Sequence, residues 1–197
     1  MTSDAIDADF GPPLERTLAF DANTHARLPA RAGEAEAPAD AAFEGAAGFA
    51  AALYQALEHA HAASARRLCW CDADFASWPL GEPAWVDLLT RWARGGAREL
   101  VMVAAGYEAI ERLHPRFAAW RRDFAHIVRC LVPEETHATA LPTLWIDSVD
   151  QAVRVFDDEH MRGRAGFDRV DRQRAREEFD AIAQRGTAGF ATVTLGL

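Results

Sequence analysis

The chain has 197 residues, half of them apolar, and carries 30 acidic against 21 basic residues for a net charge of -9. This composition excludes a disordered polymer and a membrane-spanning helix, since no apolar run approaches the ~20 residues that a span needs. The acidic balance also argues against nucleic acid as a partner, because such binding normally displaces counterions with a basic surface.

The opening stretch, MTSDAIDADF, is acidic and lacks the basic-then-apolar layout of a signal peptide, so a cytoplasmic location is expected. Residues 1–42 read as an irregular arm: prolines and small residues dominate, RTLAFD is a candidate short strand, and ARAGEAEAPAD is a linker-like run. The periodic part begins near Phe43. Phe43, Ala46, Ala50, Leu53, Leu57 and Ala60 form one helical stripe. RRLCWC then reads as a short buried strand. EPAWVDLLTRWARGG is the next helix, with Pro83 near its start and Gly95-Gly96 as its stop. RELVMVAA is a continuous apolar strand of the kind covered on both faces.

Helical spacing returns at Tyr107, Ile110, Leu113, Phe117, Trp120 and Phe124, and Pro115 should interrupt it after His114. HIVRCLVP is a third strand. PTLWIDS and QAVRVFDD are two more, and SVD between them predicts an antiparallel hairpin. DEHMRGRAGF reads as a loop before a helix over about 170–184, with Asp168 as its cap and Gly186 as its stop. GFATVTLGL closes the chain as a strand. Alternating helices and strands of this kind predict an α/β domain over 43–197, with a mixed, mostly parallel sheet and helices on both faces.

The helix, glycine turn and strand of LLTRWARGGARELVMV, the strand HIVRCLVP, the strand–aspartate–strand unit TLWIDSVDQAVRV and the late helix REEFDAIAQRG together resemble one half of a phospholipase D-like fold. The resemblance spans about residues 45–197. The family signature is His-x-Lys, four residues, then Asp; the histidine is the nucleophile and the lysine neutralises phosphate oxygens. Anchored at His137, the lysine position is Thr139 and the aspartate position Leu144. Anchored at Asp147, the histidine position is Ala140 and the lysine position Pro142. The expected Gly-Ser pair is replaced by VRVFDD. Every basic residue is arginine, so no lysine amine exists to complete either register; the Ala-, Gly- and Arg-rich composition itself fits a GC-rich bacterial genome. The resemblance therefore implies the scaffold without its catalytic groups, and fold and activity are separate claims. It also implies a homodimer, because single halves in that family often face one another.

Among the remaining candidates, His137 in PEETHAT and Asp72 after the first core strand stand where open α/β sheets bind ligands, outside the strands' carboxyl ends. A solvated loop histidine and an aspartate turn are the plainer readings. Asp74, and the cluster Asp157, Asp158, Glu159 and His160, carry oxygen ligands suited to hard cations, but consecutive side chains rarely converge on one ion. Cys69, Cys71 and Cys130 lack zinc-site spacing and read as reduced, buried thiols, so no metal and no cofactor are expected. Arginines 162, 164, 169, 172, 174 and 176 form the one basic concentration; interleaved with Asp168, Asp171, Glu177 and Glu178, they read as salt links along an exposed helix face. Trp78 and Phe75 lie in a loop that either folds over the core or offers a contact surface.

The leading expectation is a non-catalytic domain with an interaction or regulatory role and an unidentified protein partner. An alternative is a phosphodiester hydrolase of non-standard design. It requires His137, Asp147 and an arginine within ~3–4 Å of a common point at the sheet's carboxyl edge. A third reading is a small-molecule binder at the same edge, using Asp72 and His137.

Overall fold

The computed structural model describes residues 41–134 and 141–190, all within the unit spanning Gly33–Leu197. The arm expected over 1–42 lies outside the described residues up to residue 40, and strand β1, Ala41–Phe43, already occupies its last two positions. The elements then run α1 (Gly45–Ala62), β2 (Arg67–Cys71), α2 (Pro83–Ala93), β3 (Glu99–Val103), α3 (Glu108–Leu113), α4 (Pro115–Asp123), β4 (Val128–Val132), β5 (Leu144–Asp147), β6 (Ala152–Asp157), β7 (Arg162–Ala165), α5 (Arg169–Ala183) and β8 (Thr187–Ala188).

The eight strands form one mixed sheet in the order β1-β7-β6-β5-β2-β3-β4-β8. Only β2–β3 and β3–β4 pair in parallel; the other five pairings are antiparallel. The sheet is thus mostly antiparallel, not mostly parallel. The physical reason lies in the connections. Helices carry the chain back between β2, β3 and β4, as parallel neighbours require. After β4 the chain instead enters β5 beside β2 in the opposite sense. Tight connections then lay β6 and β7 down as hairpin strands, and β1 and β8 cap the two edges.

Helices cover both faces. On one, α1, α2 and α4 bury Leu53, Leu57, Trp85, Leu89, Trp92 and Phe117 against Leu68, Trp70, Leu100 and Met102. Trp70 stacks on Trp145, with ring centroids 5.2 Å apart, and lies against Trp78, Trp85 and Phe117. On the other face, α5 sets Ala175 and Phe179 over Cys69, Cys71, Val101, Val103 and Ile146. The two faces of β2 are therefore both dry, which is why RLCWC reads as a continuous apolar run.

Local signals end the elements where expected. Pro83 and Pro115 occupy the first helical turns of α2 and α4, where a missing N–H costs nothing. The Asp168 carboxylate caps α5, accepting from the N–H groups of Val170 at 2.8 Å and Asp171 at 2.9 Å.

Strand β7 lies inside a stretch that reads as a loop, and Gly163 shows why it forms. Gly163 is opposite Phe43 and Val155, and a Cβ there would run into the Phe43 ring and the Arg154 carbonyl oxygen. Gly163→Ala is expected to lower the urea midpoint by the equivalent of about 1–3 kcal/mol, the usual cost of overpacking a core. An unchanged midpoint would contradict the packing of β1 on β7.

Candidate functional site

The carboxyl ends of β2, β3 and β4 share one edge of the sheet, the usual ligand position in open α/β folds. Asp72 stands there, directly after β2, but it is buried and its acceptor sites are filled. One oxygen accepts from the N–H groups of Asp74 (3.0 Å) and Phe75 (2.7 Å). The other accepts from Trp78 Nε1 (3.0 Å) and Thr143 Oγ1 (2.7 Å). Four partners exhaust an ionised carboxylate. The loop with two aromatics accordingly folds over the core: Trp78 and Phe75 are buried and meet edge-on.

Beside Asp72, a cleft of about 300 Å³ is lined by Tyr107, Glu108, Glu111, Val132 and Phe190. Its acidic residues repel a phosphate ester. Its tyrosine is structural: the hydroxyl lies 2.9 Å from the carbonyls of Met102 and Leu131, donating to one, and accepts from the Leu131 N–H at 3.1 Å. Burial raises the Tyr107 pKa well above the ordinary value.

Asp147 lies at the opposite edge. It pairs with Leu68, four residues before Asp72, which separates the two aspartates by roughly 13 Å at ~3.3 Å per residue. Its Oδ1 accepts from the N–H groups of Val149 at 2.8 Å and Gln151 at 3.0 Å, closing the tight turn predicted between β5 and β6. Its Oδ2 is buried without a hydrogen-bond partner among the described residues. Burial holds the carboxyl above the ordinary aspartate range, against the pull of those two N–H groups, of His59 and of Trp145. The common point expected for His137, Asp147 and an arginine at the carboxyl edge is therefore not built around Asp147. His137 itself lies outside the described residues, as do Thr139 and Ala140.

The cysteines do not converge. Cys69 and Cys71 face α5, whereas Cys130 faces the opposite layer, where Arg121 Nε donates to its Sγ at 3.2 Å. Burial pushes the Cys69 thiol up to about 12 and raises Cys71 and Cys130 as well, so all three are poor nucleophiles. Asp157 is spent on its own turn, accepting from the His160 N–H at 3.1 Å and lying 3.0 Å from His160 Nδ1. Asp158 and Glu159 are exposed.

An arginine-rich cleft lies at the Asp147 edge. Arg169, Arg172 and Arg176 line a cleft of about 440 Å³ with Gln173 and Asp150, between α5 and the β5–β6 turn. Their i, i+3, i+7 spacing puts all three on one helix face, a signal hidden in sequence by the interleaved acids. Those acids pair elsewhere: Glu178 binds Arg154 on β6 at 2.6 and 3.2 Å, and Asp171 lies 3.6 Å from Arg174.

No protein-family model and no curated protein sequence matches the chain. Its fold is similar to that of the solved structure of TrmBL2, an archaeal chromatin protein described as showing a novel mode of DNA binding. The TM-score is 0.54 at 13% identity, and the match covers 79% of this chain and 56% of that one. The chain thus spans just over half the length of that structure, and the likeness is one of fold. It overturns the exclusion of nucleic acid drawn from net charge, because a DNA-binding chromatin protein carries this fold. Net charge is also unevenly placed along the chain: residues 1–40 hold eight acidic residues against three arginines, so the rest is much nearer balance. No described helix is long and apolar enough to cross a membrane.

Because burial raises the Asp147 pKa, the folded state holds this proton more tightly than the unfolded chain. Stability from this group is fully present below the unfolded value near 3.8 and falls as the pH rises through the folded value. Asp147→Asn keeps the acceptor for Val149 and Gln151 and removes the buried charge. It is expected to flatten that slope in urea unfolding across the acid range. Asp147→Ala strands both N–H groups and is expected to cost about 1–3 kcal/mol. Equal pH slopes in wild type and Asp147→Asn would contradict the assignment.

Proposed function

We propose that the chain is a non-catalytic domain with a regulatory role that works in association with nucleic acid. The observation that carries the non-catalytic part is the use made of its two candidate carboxylates. Asp72 has its acceptor sites filled by the loop it organises, and Asp147 is buried in a turn at the other edge of the sheet. A general base must reach the proton it abstracts, and neither group can approach a shared substrate atom. The hydrolase reading requires Asp147 beside His137 at the carboxyl edge of β2–β4, whereas Asp147 stands at the opposite edge.

The likeness to half of a phospholipase D-like fold belongs to this proposal in reduced form. It is a scaffold with Ala140 and Pro142 where histidine and lysine would stand, in a chain without lysine. The nucleic-acid part is supported by the shared fold with a DNA-binding chromatin protein and by the arginine concentration on α5. Arginine is suited to phosphate oxygens because its planar fork binds two at once.

Two assays on the full chain test the proposal. Incubated with bis(p-nitrophenyl) phosphate, with and without divalent cations, the protein should release nitrophenol no faster than buffer. A fluorescently labelled DNA duplex should show a rise in anisotropy at low salt that weakens as salt is raised, as counterion release requires. Turnover that survives repurification and disappears in His137→Ala would overturn the non-catalytic reading. Absence of duplex binding at low salt would overturn the nucleic-acid reading.

A further inference from the structure

We propose that the cleft between the first half of α5 and the β5–β6 turn is a phosphate-binding site, with Arg169, Arg172 and Arg176 as its cationic wall. The three side chains line the cleft together with Gln173 and Asp150. Two of them are held in place by neutral acceptors: Arg172 donates to the Phe167 carbonyl, and Arg176 Nη2 donates to the Asp147 carbonyl at 2.7 Å. A carbonyl orients a guanidinium without cancelling its charge. Each guanidinium carries five N–H donors, so most remain for a ligand.

The other carboxylates on or beside the helix lie outside the cleft lining and have partners of their own, although Glu177 takes its hydrogen bond from the lining residue Gln173 and Asp168 feels the charge of Arg172. Asp168 caps α5 through the Val170 and Asp171 N–H groups, which with the charges of Arg172 and Arg174 hold it below the ordinary range. Asp171 faces Arg174, Glu177 accepts from Gln173 at 2.8 Å, Glu178 holds Arg154, and Asp180 lies 3.9 Å from Arg67. Among the described residues none of the three cleft arginines forms an ion pair, although acids outnumber bases in the chain. Asp150 is the single carboxylate in the lining, against three guanidinium groups.

A second arginine cleft shows the contrast. Arg67 and Arg129 line it beside β3 and β4, and there both arginines share Glu99, at 3.3 and 3.1 Å. That cleft is neutralised; the α5 cleft is not. Three cations on one helix face, two of them anchored by carbonyls, suit a doubly charged phosphate or a run of backbone phosphates. The cleft's chemistry does not depend on the partner being nucleic acid, since a free phosphate ester presents the same oxygens.

Calorimetric titration of the full chain with pyrophosphate tests the site, with Arg169→Gln, Arg172→Gln and Arg174→Gln as variants. Arg169 makes no hydrogen bond or ion pair among the described residues, so its loss leaves the fold alone; a thermal melt checks Arg172→Gln. Arg174 is 76% exposed, sits on the same helix outside the cleft lining, and controls for net charge. Wild type should bind in a saturable one-site mode, Arg169→Gln and Arg172→Gln should each weaken it about tenfold, and Arg174→Gln should change it by less than about twofold. Absence of saturable binding, or equal weakening by Arg169→Gln and Arg174→Gln, would overturn the site. A DNA duplex that displaces pyrophosphate identifies a nucleic-acid backbone as the phosphate source. Pyrophosphate binding that the duplex leaves untouched keeps the site and assigns it to a free phosphate ester, leaving the nucleic-acid reading to the duplex anisotropy assay alone.

Discussion

The Asp72 carboxylate is the polar contact on which the centre of this domain depends. Strand β2 is dry on both faces and ends at Cys71, so the buried Asp72 carboxylate follows at once. Such a charge is tolerated only when hydrogen bonds replace its water. Four donors do so, and each one fixes a piece of the fold. The N–H groups of Asp74 and Phe75 turn the chain back toward α2. The Trp78 indole is drawn onto Trp70 and Phe49, joining β2 to α1. The Thr143 hydroxyl ties down the residue that leads into β5, the antiparallel neighbour of β2.

That arrangement decides where chemistry is absent. The edge that serves ligands in many α/β sheets has its central carboxylate committed to architecture and a neighbouring cleft lined by Glu108 and Glu111. Asp147 holds a turn at the other edge. Positive charge collects there instead, on α5: Glu178 and Asp180 reach across to Arg154 and Arg67 on the sheet, and Arg169, Arg172 and Arg176 form no ion pair among the described residues.

The sequence makes the local elements readable and the long-range ones not. Trp85, Leu88, Leu89 and Trp92 form the expected stripe of α2 and are all buried. Pro115 splits the following helix at His114, as its ring demands. In α1 the stripe is correct from Leu53 onward but is rotated at its start, where Phe49 is buried and Ala46 exposed, because Phe43 belongs to β1. Strand direction is set by which partner a strand finds, and nothing in LWID or AVRVFD states that β5 lies beside β2. Strand β7 is hidden because RGRA alternates arginine with small residues, and its only inward demand is that Gly163 leave room for Phe43. The arginine cleft is half legible: the residues stand out, but the engagement of Asp180 and Glu178 away from them depends on Arg67 and Arg154, which are distant in sequence.

The most direct measurement is the location of bound tungstate, a heavy-atom mimic of phosphate, by anomalous diffraction from soaked crystals. An anomalous peak among the Arg169, Arg172 and Arg176 guanidinium groups, with none beside Asp72, is the expected result. A peak at the carboxyl ends of β2, β3 and β4, with the α5 cleft empty, would contradict both the structural role of that edge and the assignment of the anion site.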